Sequence, residues 1–182
     1  VVAGRDLRFS VPQTREQRRL AFEARVASVP DDPDIRYRAV ATASEVGSRG
    51  ALEATAIMGA DGRSVTGQAT LTDLPLPADI FLALQPTVAQ RIDRLAGVLS
   101  GRVSGSYDIQ TGQFADYQGR LRLANGRATV LLTPDAPLDV ALTAEANLEP
   151  DEITATADVS GMDGTARLSG RWTPQRTTAA LE

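Results

Sequence analysis

Apolar and polar residues alternate along most of this chain with a period of two. Leu52, Ala54, Ala56 and Met58 interleave with Glu53, Thr55 and Ile57, and Ile153, Ala155, Ala157 and Val159 with Thr154, Thr156 and Asp158. Successive side chains of a strand point to opposite faces, so this beat predicts strands with one dry and one wet face. Sustained over the chain, it predicts a mainly β protein, a large antiparallel sheet with a groove-like or sandwich-like curl. Dry positions mark strands around Leu7–Val11, Leu20–Val26, Ile35–Ala41, Leu52–Met58, Val65–Leu71, Val103–Ile109, Phe114–Leu123, Leu138–Ala144, Ile153–Val159 and Leu168–Trp172. With a return strand after Asn125-Gly126, about eleven strands at ~4.8 Å spacing span roughly 50 Å. A sheet that wide usually curls or splits. Gly67, Gly101, Gly105, Gly119 and Gly170 on the dry face permit sharp bending.

Three turn signals set expected registers. A two-residue turn at Asp61-Gly62 places Met58 opposite Val65 and Leu52 opposite Leu71. One at Asn125-Gly126 places Leu123 opposite Ala128 and Leu121 opposite Val130. One at Asp163-Gly164 places Val159 opposite Leu168 and Ala155 opposite Trp172. Each joins dry positions to dry positions, which a one-residue slip would destroy. The dry positions change parity between Phe114 and Tyr117, which predicts a β-bulge near Ala115-Asp116.

The beat changes between Leu74 and Gly97. Thr87 to Gln90 resembles a capping box, and Val88, Ile92 and Leu95 fall on one helical face before Gly97. A short amphipathic helical insertion is therefore expected at about 78–97, either as a plug on the sheet or as a lid over a ligand groove. The remainder of 1–173 reads as a single β-rich domain. Residues 174–182 read as a tail ending in a cloning scar, and the chain as a fragment of a longer protein. Such a fragment should keep an unpaired edge, at Val1–Val11 or at Ala166–Trp172.

Composition removes several kinds of chemistry. The 182 residues suit one domain. The formal charge of −4 does not fit nucleic-acid binding. All 19 basic residues are Arg, and there is neither His nor Cys. Thiolate sites, disulfides and the commonest general base are therefore absent. No catalytic constellation, metal site or cofactor motif can be assembled, and a non-enzymatic protein is expected. Asp31-Asp32-Pro33-Asp34 has carboxylates, but at no calcium-loop spacing, and reads as a solvated turn. The Arg18-Arg19, Arg36/Arg38, Arg120/Arg122 and Arg167/Arg171 sets fall on wet faces and read as solubilising, with lipid headgroups as the other use.

One stretch carries a family resemblance. Leu74-Pro75-Leu76-Pro77 precedes the expected helix, Leu99-Ser-Gly-Arg-Val-Ser-Gly105 follows it, and then comes Gly119-Arg-Leu-Arg-Leu-Ala-Asn-Gly-Arg-Ala-Thr-Val130. This order of features resembles the AsmA-like bacterial envelope family of YhdP/TamB-type lipid-transfer proteins. The resemblance implies a periplasmic β-groove that conducts phospholipid acyl chains between inner and outer membranes. It also implies an inner-membrane anchor outside this chain, and partners limited to acyl lipid and neighbouring strands of the full-length protein. The expected groove face holds Phe9, Phe22, Val26, Tyr37, Met58, Val103, Tyr107, Leu121, Val130 and Leu142, with Val88, Ile92 and Leu95 on the lid. A structural or assembly scaffold of the envelope is the alternative, favoured if the dry face proves filled.

Overall fold

The computed structural model describes residues 2–10, 17–45, 49–76, 91–133, 136–161, 164–173 and 176–181. Its strands are β1 (Val2–Ser10), β2 (Gln17–Ser28), β3 (Ile35–Glu45), β4 (Ala51–Gly59), β5 (Ser64–Pro75), β6 (Ile92–Asp108), β7 (Gln113–Thr133), β8 (Ala136–Glu149), β9 (Glu152–Gly161), β10 (Gly164–Thr173) and β11 (Arg176–Leu181). They form one antiparallel, eleven-stranded sheet in simple sequence order. The sheet is open, with β1 and β11 at its edges. At the fully described links, 29–34, 60–63, 109–112 and 150–151, neighbouring strands are joined by short turns of two to six residues, rich in Asp, Gly and Pro.

The Asp61-Gly62 register is as expected, with Met58 opposite Val65 and Leu52 opposite Leu71. Asp61 organises that turn, its Oδ1 accepting the backbone N–H of Arg63 at 2.9 Å and of Ser64 at 3.4 Å. Gly62 takes a left-handed φ of 66° there, which a residue without Cβ adopts freely. The expected bulge is also present. Ser104 pairs with Gln118 but Ser106 with Ala115, so β7 carries one extra residue, and Asp116 has φ 51°. The Ser106 hydroxyl donates to the Ala115 carbonyl at 3.0 Å and braces the irregularity.

Asn125-Gly126 is not a hairpin turn. β7 runs through it as one strand of 21 residues. Asn125, with φ 51°, is an extra residue facing a shorter step on both neighbouring strands. Leu121 therefore lies opposite Ala146 and Gly101, not Val130, and Leu123 opposite Ala144 and Leu99. A two-residue turn and a one-residue bulge both carry the dry positions from odd to even numbers, so alternation alone cannot separate them. The Asp163-Gly164 register is displaced by two. Val159 faces Ala166, and Ala155 faces Gly170, while Asp163 lies outside the described residues. A two-residue slip preserves the dry face, so the face pattern does not detect it.

The helical insertion needs correction where it is described. Ile92, Leu95 and Gly97 belong to strand β6. Ile92 pairs with Val130 and Leu95 with Ala128, while Arg94 pairs with Thr129. One extra residue of β6 between Ile92 and Arg94 puts Ile92 and Leu95 three apart on one face. That spacing imitates a helical turn. Val88 and the rest of 77–90 lie outside the described residues. Residues 176–181, expected in a tail, form β11, which covers the Ala166–Trp172 strand; the expected edge position of β1 is found.

The sheet is a single layer. All substantial contacts between strands are between sequence neighbours, and no second layer packs on either face among the described residues. Ala128, at 5% exposure, is the one apolar side chain there that is buried, and none is fully so. Most other dry-face side chains are half-buried by their lateral neighbours.

Candidate functional site

The registers bring nine of the ten expected groove residues, all but Phe9, onto one face. Tyr37 stands opposite Met58, Met58 opposite Val65, and Val65 opposite Tyr107, giving one row across β3 to β6, and Phe114 is the backbone partner of Tyr107 on β7. Val26 reaches this face opposite Ala39, and Phe22 opposite Ala43. Val103 lies between Ala69 and Gly119, Leu121 between Gly101 and Ala146, and Leu142 between Gly126 and Val159. Val130 joins Ile92 to Leu138. Phe9 has Arg18, expected on the wet face, as its backbone partner across β1 and β2, two positions from the Leu7–Leu20 pair. The other nine share a face, but they are spread across it rather than gathered at one spot. Ile92 and Leu95, expected on a lid above this face, are part of the face itself.

Sequence reasoning missed the floor beneath the Tyr37–Tyr107 row. Gly67 and Gly105 are direct partners across β5 and β6, with Ala56 beside Gly67 on β4. A shallow depression of about 390 Å³ opens there, lined by Val65, Gly67, Ala69, Val103, Gly105 and Tyr107 among others. The individual glycines were legible as dry-face positions, but their juxtaposition needs the β5–β6 register, which no turn signal supplied. The face stays wet at its flanks. Val26 is 65% exposed and Trp172 44%, high values for large apolar residues.

The opposite face is polar and internally paired. Arg120 Nη2 lies 2.8 Å from Glu145 Oε2, and Arg122 Nε lies 3.8 Å from Glu145 Oε1. Arg167 grips Asp158 through two bonds of 2.8 and 3.2 Å, and Arg171 pairs with Glu152. The Thr129 hydroxyl donates to Asp139 at 2.6 Å. The Arg120 guanidinium, by hydrogen bond and charge, holds the Glu145 carboxyl below its usual range. These exposed pairs, screened by water, contribute little individually. They keep the wet face of a wide sheet soluble and specify which side that is. Among the described residues no group of three metal-ligating side chains forms. Asp32 instead caps its own turn, accepting the Asp34 N–H at 2.9 Å.

No helix among the described residues is long and apolar enough to cross a membrane. Comparison with protein-family models, curated proteins and solved structures finds no match.

Proposed function

We propose that this chain is a non-catalytic segment of a lipid-transfer protein that holds phospholipid acyl chains against its dry face. The observation that carries the reading is that face itself. It runs without a polar interruption from Tyr37 through Met58, Val65 and Tyr107, and no protein layer covers it among the described residues. Burying apolar surface gains about 25 cal/mol per Å², so an uncovered face of this extent favours an apolar occupant. An acyl chain asks only for apolar area, which Ala, Val, Leu and Gly supply without a shaped pocket. The wet face, with its Arg–carboxylate pairs, stays in water.

In this reading the sheet curls about its dry side into a groove, with headgroups at the open rim. Any lid is built from residues other than Ile92 and Leu95. The resemblance of the Leu71–Leu132 stretch to AsmA-like envelope proteins supports a periplasmic setting, with the membrane anchor and further strands supplied by the rest of a longer protein. Native mass spectrometry of the purified chain, followed by solvent extraction, tests the reading. Co-purified phospholipid, released on denaturation, is the expected result. A lipid-free chain that also fails to take up added phospholipid transfers the dry face to a protein partner, the role of an envelope scaffold.

A further inference from the structure

We propose that the polar face carries a binding site for a phosphate-type oxyanion at the Arg102–Arg120 pair. The two arginines are direct partners across β6 and β7. Like charges placed directly opposite on adjacent strands repel and destabilise the pairing. Only one of the two charges is answered within the protein. Arg120 bonds Glu145 at 2.8 Å. Arg102 has Thr70 as its other lateral neighbour and no carboxylate partner among the described residues.

The surroundings supply neutral hydrogen-bonding groups in place of a second carboxylate. Ser104 pairs with Gln118 one step along the same ladder, and Asn147 lies beside Arg120 on β8. Arg102, Ser104, Gln118, Arg120 and Asn147 line one shallow depression of about 420 Å³, with Glu149 at its β8 side. Glu149 on β8 and Glu53 on β4 each sit two strands from Arg102, lateral separations of about 10 Å, and neither forms an ion pair with it among the described residues, so the Arg102 side of the depression keeps its positive charge. A planar guanidinium presents two parallel N–H donors that match two oxygens of a phosphate group. Hydroxyl and carboxamide groups can donate to the remaining oxygens. An oxyanion placed there answers the Arg102 charge and removes the repulsion that the bare register imposes. The same chemistry serves free phosphate or the phosphate of a lipid headgroup, and the site lies on the face opposite the proposed acyl surface.

The test reads thermal stability and binding together, in Arg102→Gln, in Arg167→Gln as a control already paired with Asp158, and in the unaltered chain. Without phosphate, Arg102→Gln melts higher than the unaltered chain, because it relieves a like-charge pair. Inorganic phosphate then raises the melting temperature of the unaltered chain and of Arg167→Gln, but not of Arg102→Gln, so the order narrows or reverses. Phosphate titration followed by phosphorus NMR shows binding weakened about tenfold or more in Arg102→Gln, the loss of a charge-assisted contact. Sedimentation with phosphatidylcholine vesicles, with and without phosphatidic acid, separates the two sources. Arg102-dependent capture by the acidic vesicles assigns the site to headgroups, and Arg102-dependent binding of phosphate alone assigns it to the free ion. If chloride at matched ionic strength reproduces the phosphate effect, or if Arg102→Gln binds both probes as the unaltered chain does, the proposal is overturned. Neither result bears on acyl uptake by the dry face, which is measured separately.

Discussion

Gly101 faces Leu121 across the β6–β7 ladder with φ 152°, and a Cβ at Gly101 would collide with the Arg120 carbonyl oxygen. No side chain fits that approach, and no L-residue adopts that backbone without strain. Gly101→Ala is expected to destabilise the sheet by about 3 kcal/mol. Gly164 is the control, because nothing lies within 4 Å of its would-be Cβ. Gly164→Ala should be neutral or stabilise by about 0.4–1 kcal/mol, through the unfolded chain. Urea unfolding of the two variants measures both.

The register of β7 can be trapped chemically. The chain has no cysteine, so introduced pairs report cleanly. Direct antiparallel partners place their Cα atoms about 4.5–5.5 Å apart, within disulfide reach. Leu121→Cys with Ala146→Cys should oxidise to an intramolecular bridge. Leu121→Cys with Val130→Cys should not, since they lie nine positions apart along one continuous strand. A bridge in the second pair, detected by mass after oxidation, would restore the hairpin.

That pair of variants marks where sequence reading stopped. Alternation put Tyr37, Met58, Val103 and Leu142 on one face, as the registers do, because successive side chains of a strand point to opposite sides. It could not fix connectivity at Asn125, where turn and bulge shift parity alike. Nor could it fix the register of Val159, where a slip of two leaves the face unchanged. Ile92 and Leu95 read as helical because the strand irregularity between Ile92 and Arg94 creates a three-residue spacing. Asp61 was legible because its turn and the pairing of Met58 with Val65 agree independently.

Acid should loosen the turns before it affects the dry face. Asp61 is held below its ordinary value of 3.8 by accepting the backbone N–H of Arg63 and then of Ser64. Asp108 is likewise lowered from 3.8, chiefly by the Thr111 N–H, with Gln110 adding a second bond. A carboxyl whose folded pKa is depressed contributes stability above its unfolded pKa and loses it as pH falls through the folded value. The melting temperature should therefore be flat with respect to these two groups above the ordinary aspartate value and fall below it. The Asp61→Asn, Asp108→Asn double variant should show a shallower acid decline. Equal slopes for both proteins would remove these turns as the titrating elements.

The most direct test of the acyl-binding account is uptake of a fluorescent phospholipid by two charge variants that remain folded by circular dichroism. Val103→Asp puts a carboxylate between Ala69 and Gly119 on the dry face, and Gln68→Asp puts one between Thr55 and Ser104 on the wet face. Burying an unpaired carboxylate against an acyl chain costs several kcal/mol. The account predicts that Val103→Asp abolishes uptake and that Gln68→Asp binds as the unaltered chain does. Equal uptake by both variants, or equal loss in both, would contradict it.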